Sequence, residues 1–196
     1  MSDTTTIVLP IPYYCNVASH VVRKLTGHYI EGETPERKAY GILAGTLRPG
    51  GFTVTAVIPL LANMRQDDRY REQMDEVVME HAIPSQTPNE QRGWIADPAE
   101  LRAIEDLCDA NGWIPFGNYH THRVPWSHDP RRDTCTQLDR RLSAGSGQWT
   151  FIVSAVDLHR LSIRAFFEAD NECEATLVPE PSSASSATIH RQRGST

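Results

Sequence analysis

Two histidines separated by one residue, His120-Thr121-His122, follow directly on an apolar run, and an aspartate, Asp133, stands eleven positions after the second. Residues two apart on a strand project from the same face, so both imidazoles of such a pair can converge on one point. A carboxylate brought back to that point by a loop completes a set of two nitrogens and one oxygen. That set suits zinc and leaves its fourth tetrahedral position open to water. Zinc in an open site lowers the pKa of bound water to about 7 and makes it a nucleophile at neutral pH. A His-x-His pair alone is a weak signal. The strand ahead of it, the spacing to Asp133 and the order of the surrounding elements strengthen it.

The elements that must position these groups follow from periodicity and punctuation. Trp113 to Tyr119 (WIPFGNY) is expected as the strand that delivers the chain into His120, and Asp133 to Leu142 as a helix with Asp133 at its start. Upstream, Val17 to Leu25 has apolar residues at helical spacing. Ala39 to Leu47 (AYGILAGTL) reads as a buried strand ending in Arg-Pro-Gly-Gly, a hairpin turn, with Phe52 to Leu61 as its partner. Pro59 marks a sheet edge or a bulge there. A short helix is expected at Tyr70 to Met79 and a surface loop at Pro84 to Arg92. Asp97-Pro98 opens a helix through Leu101, Ile104 and Leu107 that stops near Asn111-Gly112. Trp149 to Val156 and Leu161 to Phe167 read as a final strand pair. The fold class expected is α/β (α+β), a central mixed sheet flanked by helices.

At 196 residues and 39% hydrophobic content, the chain suits one domain, expected over residues 10–172. Residues 1–9 are expected as a flexible start. Residues 173–196 are expected as a disordered tail, since from about Val178 the chain is Ser, Pro, Ala and Arg without periodicity. A net charge of −6 disfavours nucleic acid as a partner. No run approaches the ~20 apolar residues of a membrane helix, and Met1 to Thr6 has no signal-peptide plan, so a cytoplasmic protein is expected. Cys15, Cys108, Cys135 and Cys173 form no C-x-x-C pair and read as free thiols. Glycine-rich phosphate loops are absent.

In their order, these pieces resemble the JAB/MPN (JAMM) zinc metalloproteases. That family carries a glutamate ahead of a Gly-Leu-Leu-Gly strand, then His-Ser/Thr-His-Pro and, after a spacer, Ser-x-x-Asp. Gly41-Ile42-Leu43-Ala44-Gly45 looks like the first strand, and Asn63 with Arg69-Tyr70 like the stretch before the family's insertion. Ala96-Asp97-Pro98, Phe116 to His122, and Arg164-Ala165-Phe166 follow in family order, and Asp133 sits at the family distance from His122. The likeness spans about residues 10 to 170. It implies a cytidine-deaminase-like fold and Zn2+ held by His120, His122 and Asp133. The activity implied is hydrolysis of amide or isopeptide bonds. The substrate would be a C-terminal adduct or tail of a ubiquitin-like or sulfur-carrier protein in a biosynthetic pathway, or a small-molecule amide.

Three positions depart from the pattern. Arg123 replaces the proline after the second histidine, and Pro130 stands where the family has its serine, with Ser127, Thr134 or a backbone N–H as substitutes. Lys38 stands where the family has its glutamate. Glu36 shares a face with Lys38 if the strand extends that far, and is the expected general base, against the plainer reading of a solvated charge. Glu31, Glu33 and Glu80 are weaker stand-ins. These departures keep open a non-catalytic MPN-like module that binds metal or a partner without turnover.

Overall fold

The computed structural model describes residues 4–181. Its strands are β1 (Thr6–Val8), β2 (Tyr40–Arg48), β3 (Gly51–Pro59), β4 (Ile114–His122), β5 (Trp149–Ser154), β6 (Ser162–Phe167) and β7 (Thr176–Val178). Its helices are α1 (Ile11–Leu25), α2 (Asp68–His81), α3 (Pro98–Asn111) and α4 (Gln137–Ser143). The strands form one mixed sheet in the order β6-β5-β4-β2-β3-β1-β7. β2 and β3 make the expected hairpin, with Arg48 opposite Gly51 and Gly50 at φ 77° supplying the left-handed turn residue. β4 lies mid-sheet, antiparallel to β2 and parallel to β5, so His120 has Tyr40 on one side and Ile152 on the other. The parallel step from β4 to β5 requires a crossover, and α4 lies in it.

The sheet nearly closes into a barrel. Ala175 N donates to Ala165 O at 2.9 Å, leading out of β6, and Thr176 N then donates to Thr5 O at 2.9 Å, leading into β1. The expected domain limits therefore need correction at both ends. Ile7 and Val8 are buried in a strand rather than flexible, because β1 pairs with both β3 and β7. Ala175 is buried and Thr176–Val178 pairs, so the ordered chain runs past residue 172. The rest of the expected tail, residues 182–196, lies outside the described residues, as do residues 1–3.

One face of the sheet packs on α1 through Val17, Val21 and Leu25, which meet Leu43, Val54, Phe116, Tyr119 and Phe151. The other packs on α3 through Ile104 and Cys108 against Ala44, Ala56 and Trp94. β5 is buried throughout, sending Phe151 and Val153 to the first face and Ile152 to the second. Its mostly apolar sequence, with Phe151, Ile152 and Val153 in succession, follows from that double burial. Gly41 leaves room for the Tyr119 ring, which a Cβ at that position would overlap. Among the described residues, no helix is long and apolar enough to cross a membrane.

Helix limits follow their caps. Asp97 accepts from Ala99 N at the start of α3, and Gly112 ends it at φ 66°. α4 begins at Gln137, four positions later than the sequence suggests, because Thr136 caps it. That shift decides which carboxylate reaches the histidines.

Candidate metal centre

His120 and His122 leave β4 on the same sheet face, as strand geometry requires, and both are buried. Their Nε2 atoms are 3.2 Å apart. The His120 ring is stacked on Tyr40 (4.9 Å between centroids, 10° between planes), and Tyr40 is stacked in turn on Trp94. The carboxylate that meets the two imidazoles belongs to Asp139. Its Oδ1 lies 3.2 Å from His120 Nε2 and its Oδ2 lies 3.3 Å from His122 Nε2.

Asp139 is aimed by the start of α4. Thr136 Oγ1 accepts from Asp139 N at 3.2 Å, and Asp139 Oδ2 accepts from Thr136 N at 2.7 Å. This reciprocal pair is a capping box with aspartate in the third helical position. It turns the carboxylate back over the helix start, where the histidines are. Burial alone would raise the Asp139 carboxyl, but the two facing imidazoles outweigh it and hold it well below the usual carboxylate range. Burial lowers His122, offset in part by Asp139, so its ring is neutral at pH 7 and keeps a lone pair for a ligand.

The three groups fit a tetrahedral ion. Zinc bonds of about 2.05 Å to nitrogen and oxygen give ligand–ligand edges of about 3.3 Å. Here the two imidazole nitrogens are 3.2 Å apart, and each faces a different oxygen of Asp139, at 3.2 Å for His120 and 3.3 Å for His122. One atom from each residue, the three lying within 4.8 Å of one another, can form one face of a tetrahedron and leave its apex free. The donor set is the one that zinc takes in open sites.

Asp133 is not part of this triangle. Its Oδ1 lies 3.3 Å from Arg164 Nη1 on β6, and its Oδ2 lies 3.5 Å from exposed Arg131. It precedes the helix instead of opening it, and its buried charge is matched by a guanidinium. Glu36 is also held elsewhere. Its Oε1 accepts from Asn63 Nδ2 at 2.6 Å and its Oε2 pairs with Lys38 Nζ at 2.9 Å. Lys38 lines the cavity beside His120, His122 and Asp139, and Glu36 does not. Of the weaker stand-ins, Glu33 is bound in a fork by Arg23 below the sheet. Thr134, a possible substitute for the serine, donates to Asp129 at 3.1 Å.

The cavity has a volume of about 190 Å³. The connection after α2 forms one wall through Ile83, Ser85 and Arg92, and the loop after β4 forms another through Trp126 and Arg132. Sequence reasoning missed Asp139 and Thr136. The available signal was Thr136-x-x-Asp139 with Leu138 and Leu142 at helical spacing, a helix-start pattern. Cys135, near the site, is buried, and burial raises its thiol, which disfavours the thiolate.

No family model matches the chain, and no curated protein matches it. Among solved structures, the chain is similar to a protein from Desulfitobacterium hafniense determined in solution. Identity is 18% over 90% of this chain and 94% of that one, with a TM-score of 0.56. A solution structure from Salinibacter ruber has the same identity and coverage with a TM-score of 0.47. At this identity, the first likeness is one of fold.

Proposed function

We propose that the chain is a zinc-dependent hydrolase of amide or isopeptide bonds, of the JAB/MPN kind and with its cytidine-deaminase-like fold. The observation that carries this reading is the triangle of His120, His122 and Asp139 atoms lining a cavity. Zinc held there would supply Lewis acidity, polarising the amide carbonyl and the attacking water. Asp139 contributes the negative charge of the site, and the Tyr40 stack fixes the plane of His120. Thr136 stands three positions before Asp139, the offset of the family's serine, and lines the cavity. Its hydroxyl accepts from Asp139 N and retains one proton to donate to a developing oxyanion. The cavity volume suits a chain end or a small amide. Hydrolysis of the tail of a ubiquitin-like or sulfur-carrier protein and of a small-molecule amide therefore both belong to this reading.

A second reading, a metal- or partner-binding module without turnover, is favoured by one observation. Among the described residues, Asp139 is the only carboxylate lining the cavity, and Lys38 stands where the family's glutamate would be. One experiment separates the two. The zinc content of the purified chain is measured for wild type, His122→Ala and Asp139→Asn, together with hydrolysis of carrier-protein adducts and N-acyl amino acids. The hydrolase reading expects one zinc and turnover in wild type, with both lost in the two variants. Zinc without turnover of any substrate supports the module, and a zinc-loaded sample that retains no metal removes the hydrolase and the metal-binding module and leaves only a partner-binding one. Glu36→Gln is then informative: zinc kept with turnover abolished makes Glu36 the base, despite its distance from the cavity wall.

A further inference from the structure

Three arginines line the cavity, and two of them, Arg92 and Arg132, are held by contacts that the metal site does not use. Arg132 is buried, and its guanidinium lies 3.5 Å over the Trp126 ring. Its Nε donates to Val124 O at 3.1 Å and its Nη1 to Asp129 at 3.4 Å, while its Nη2 has no hydrogen-bond partner among the described residues. The Arg132 backbone is left-handed (φ 53°), which a non-glycine residue adopts at a cost, and Asp129 holds it there by accepting from Arg132 N at 2.8 Å. The chain thus spends backbone strain to place this side chain.

Arg92 lines the same cavity from the opposite wall, at the end of the Pro84 to Arg92 connection. It is fixed from two sides. Its Nη1 donates to Ile83 O at 2.8 Å, and its carbonyl accepts from the buried Arg65 Nε at 2.8 Å. Among the described residues, Arg92 makes no ion pair. Burial lowers both guanidiniums, and the Arg92 charge bears on Arg132. Lys38 is already matched by Glu36. Arg132 is paired with Asp129 at 3.4 Å and feels the Asp139 charge across the cavity, whereas Arg92 has no ion-pair partner among the described residues, an arrangement that favours an added anion between the two guanidiniums. A guanidinium fork matches a carboxylate in shape as well as charge.

We propose that Arg92 and Arg132 form a carboxylate-binding half of the substrate site, so that the amide cleaved at His120, His122 and Asp139 carries a free carboxylate near its scissile bond. The proposal rests on the hydrolase reading for the cleavage and on the arginines alone for the recognition. In the reaction, the oxygen of water bonds to the carbonyl carbon, the C–N bond breaks, and one proton of the water leaves with the amine. The arginines take no part in these bonds. They hold the carboxylate so that the carbonyl lies beside the metal ligands. The terminal residue of a protein adduct and a small N-acyl amino acid both offer this chemistry.

The test is calorimetric titration of the full-length chain, zinc-loaded and after chelation, with N-acetylglycine, neutral N-acetylglycinamide and inorganic phosphate. The expected result is at least a ten-fold preference for the acid over the amide in both forms. Arg92→Gln and Arg132→Gln abolish it, and Arg102→Gln, on the outer side of α3, leaves it intact. Circular dichroism checks that each variant folds, and Arg92→Gln alone suffices if Arg132→Gln does not. Equal binding of acid and amide, or a preference that survives Arg92→Gln, overturns the proposal, as does phosphate binding tighter than N-acetylglycine at the same arginines. A Gly-Gly-ending peptide with a free rather than amidated terminus, run alongside, shows whether the carboxylate comes from a chain end or a small molecule. Binding is read without turnover, so an inactive chain that shows the preference sinks the hydrolase reading and leaves the arginine site standing.

Discussion

A buried carboxylate needs cations or donors to offset its lost hydration, and two aspartates of this chain meet that need differently. Asp133 takes the Arg164 guanidinium, and Asp139 takes two imidazoles and a helix N-terminus. Asp133→Asn is therefore expected to keep its zinc and lose about 1–3 kcal/mol of stability, since Arg164 retains Glu174 as a partner. Asp139→Asn is expected to keep its fold and lose zinc. Metal analysis beside urea denaturation checks both. The histidine pair was legible in the sequence because a strand repeats every two residues, which fixes their shared face without further information. The third ligand was not, because its position depends on the length of the loop from Arg123 to Cys135. That loop spends residues on the Trp126–Arg132 stack before the helix begins.

At the scale of elements, α4 is seven residues long and needs its cap. The capping box that starts this helix also orients Asp139, so helix stability and metal affinity are coupled. Thr136→Ala is expected to cost about 1 kcal/mol of stability and to weaken zinc binding roughly 10–100-fold, as loss of an orienting partner does. Thr136→Ser restores both. Competition with a chelator reads the affinity, and denaturation reads the stability. Strong punctuation made most elements legible. Pro49-Gly50 turned the β2–β3 hairpin, and Asp97 with Gly112 bounded α3. The first turns of α1 carried exposed or half-buried residues such as Tyr13 and Tyr14 and gave no apolar stripe. β1 and β7 have three residues each, too few for alternation to show.

Across the molecule, one source of acid sensitivity lies below the sheet, on the face away from the histidine pair. His20 Nδ1 bonds the Tyr119 hydroxyl at 2.7 Å, its Nε2 lies 3.9 Å from Glu33, and Arg23 grips Glu33 through both oxygens. Burial, with the nearby Arg23 and Lys24 charges, lowers His20 to about 4 against the partial opposition of Glu33. Burial would raise Glu33, but the Arg23 fork and the Ile30 N–H outweigh it and hold it at about 2. Both values lie below those of the unfolded chain, so unfolding takes up protons and stability falls with pH. His20 contributes a loss from about pH 6.5 down to 4, on the order of 3 kcal/mol, and Glu33 a further loss from about 4.5 down to 2. Urea midpoints measured from pH 8 to 3 are expected to be level above pH 7 and to decline below it. His20→Gln is expected to make the upper part of the decline shallower.

The near-closure of the sheet also governs how the chain is made. Among the described strands β1 comes first in the chain, yet one of its two neighbours, β7, comes last. Until Thr176–Val178 is released, the Ile7 backbone has an open edge, and Thr5 O waits for the N–H of Thr176. A nascent chain stalled before residue 176 therefore exposes an unpaired strand edge of the kind that recruits other chains. Its synthesis is safest when Thr176–Val178 follows without pause.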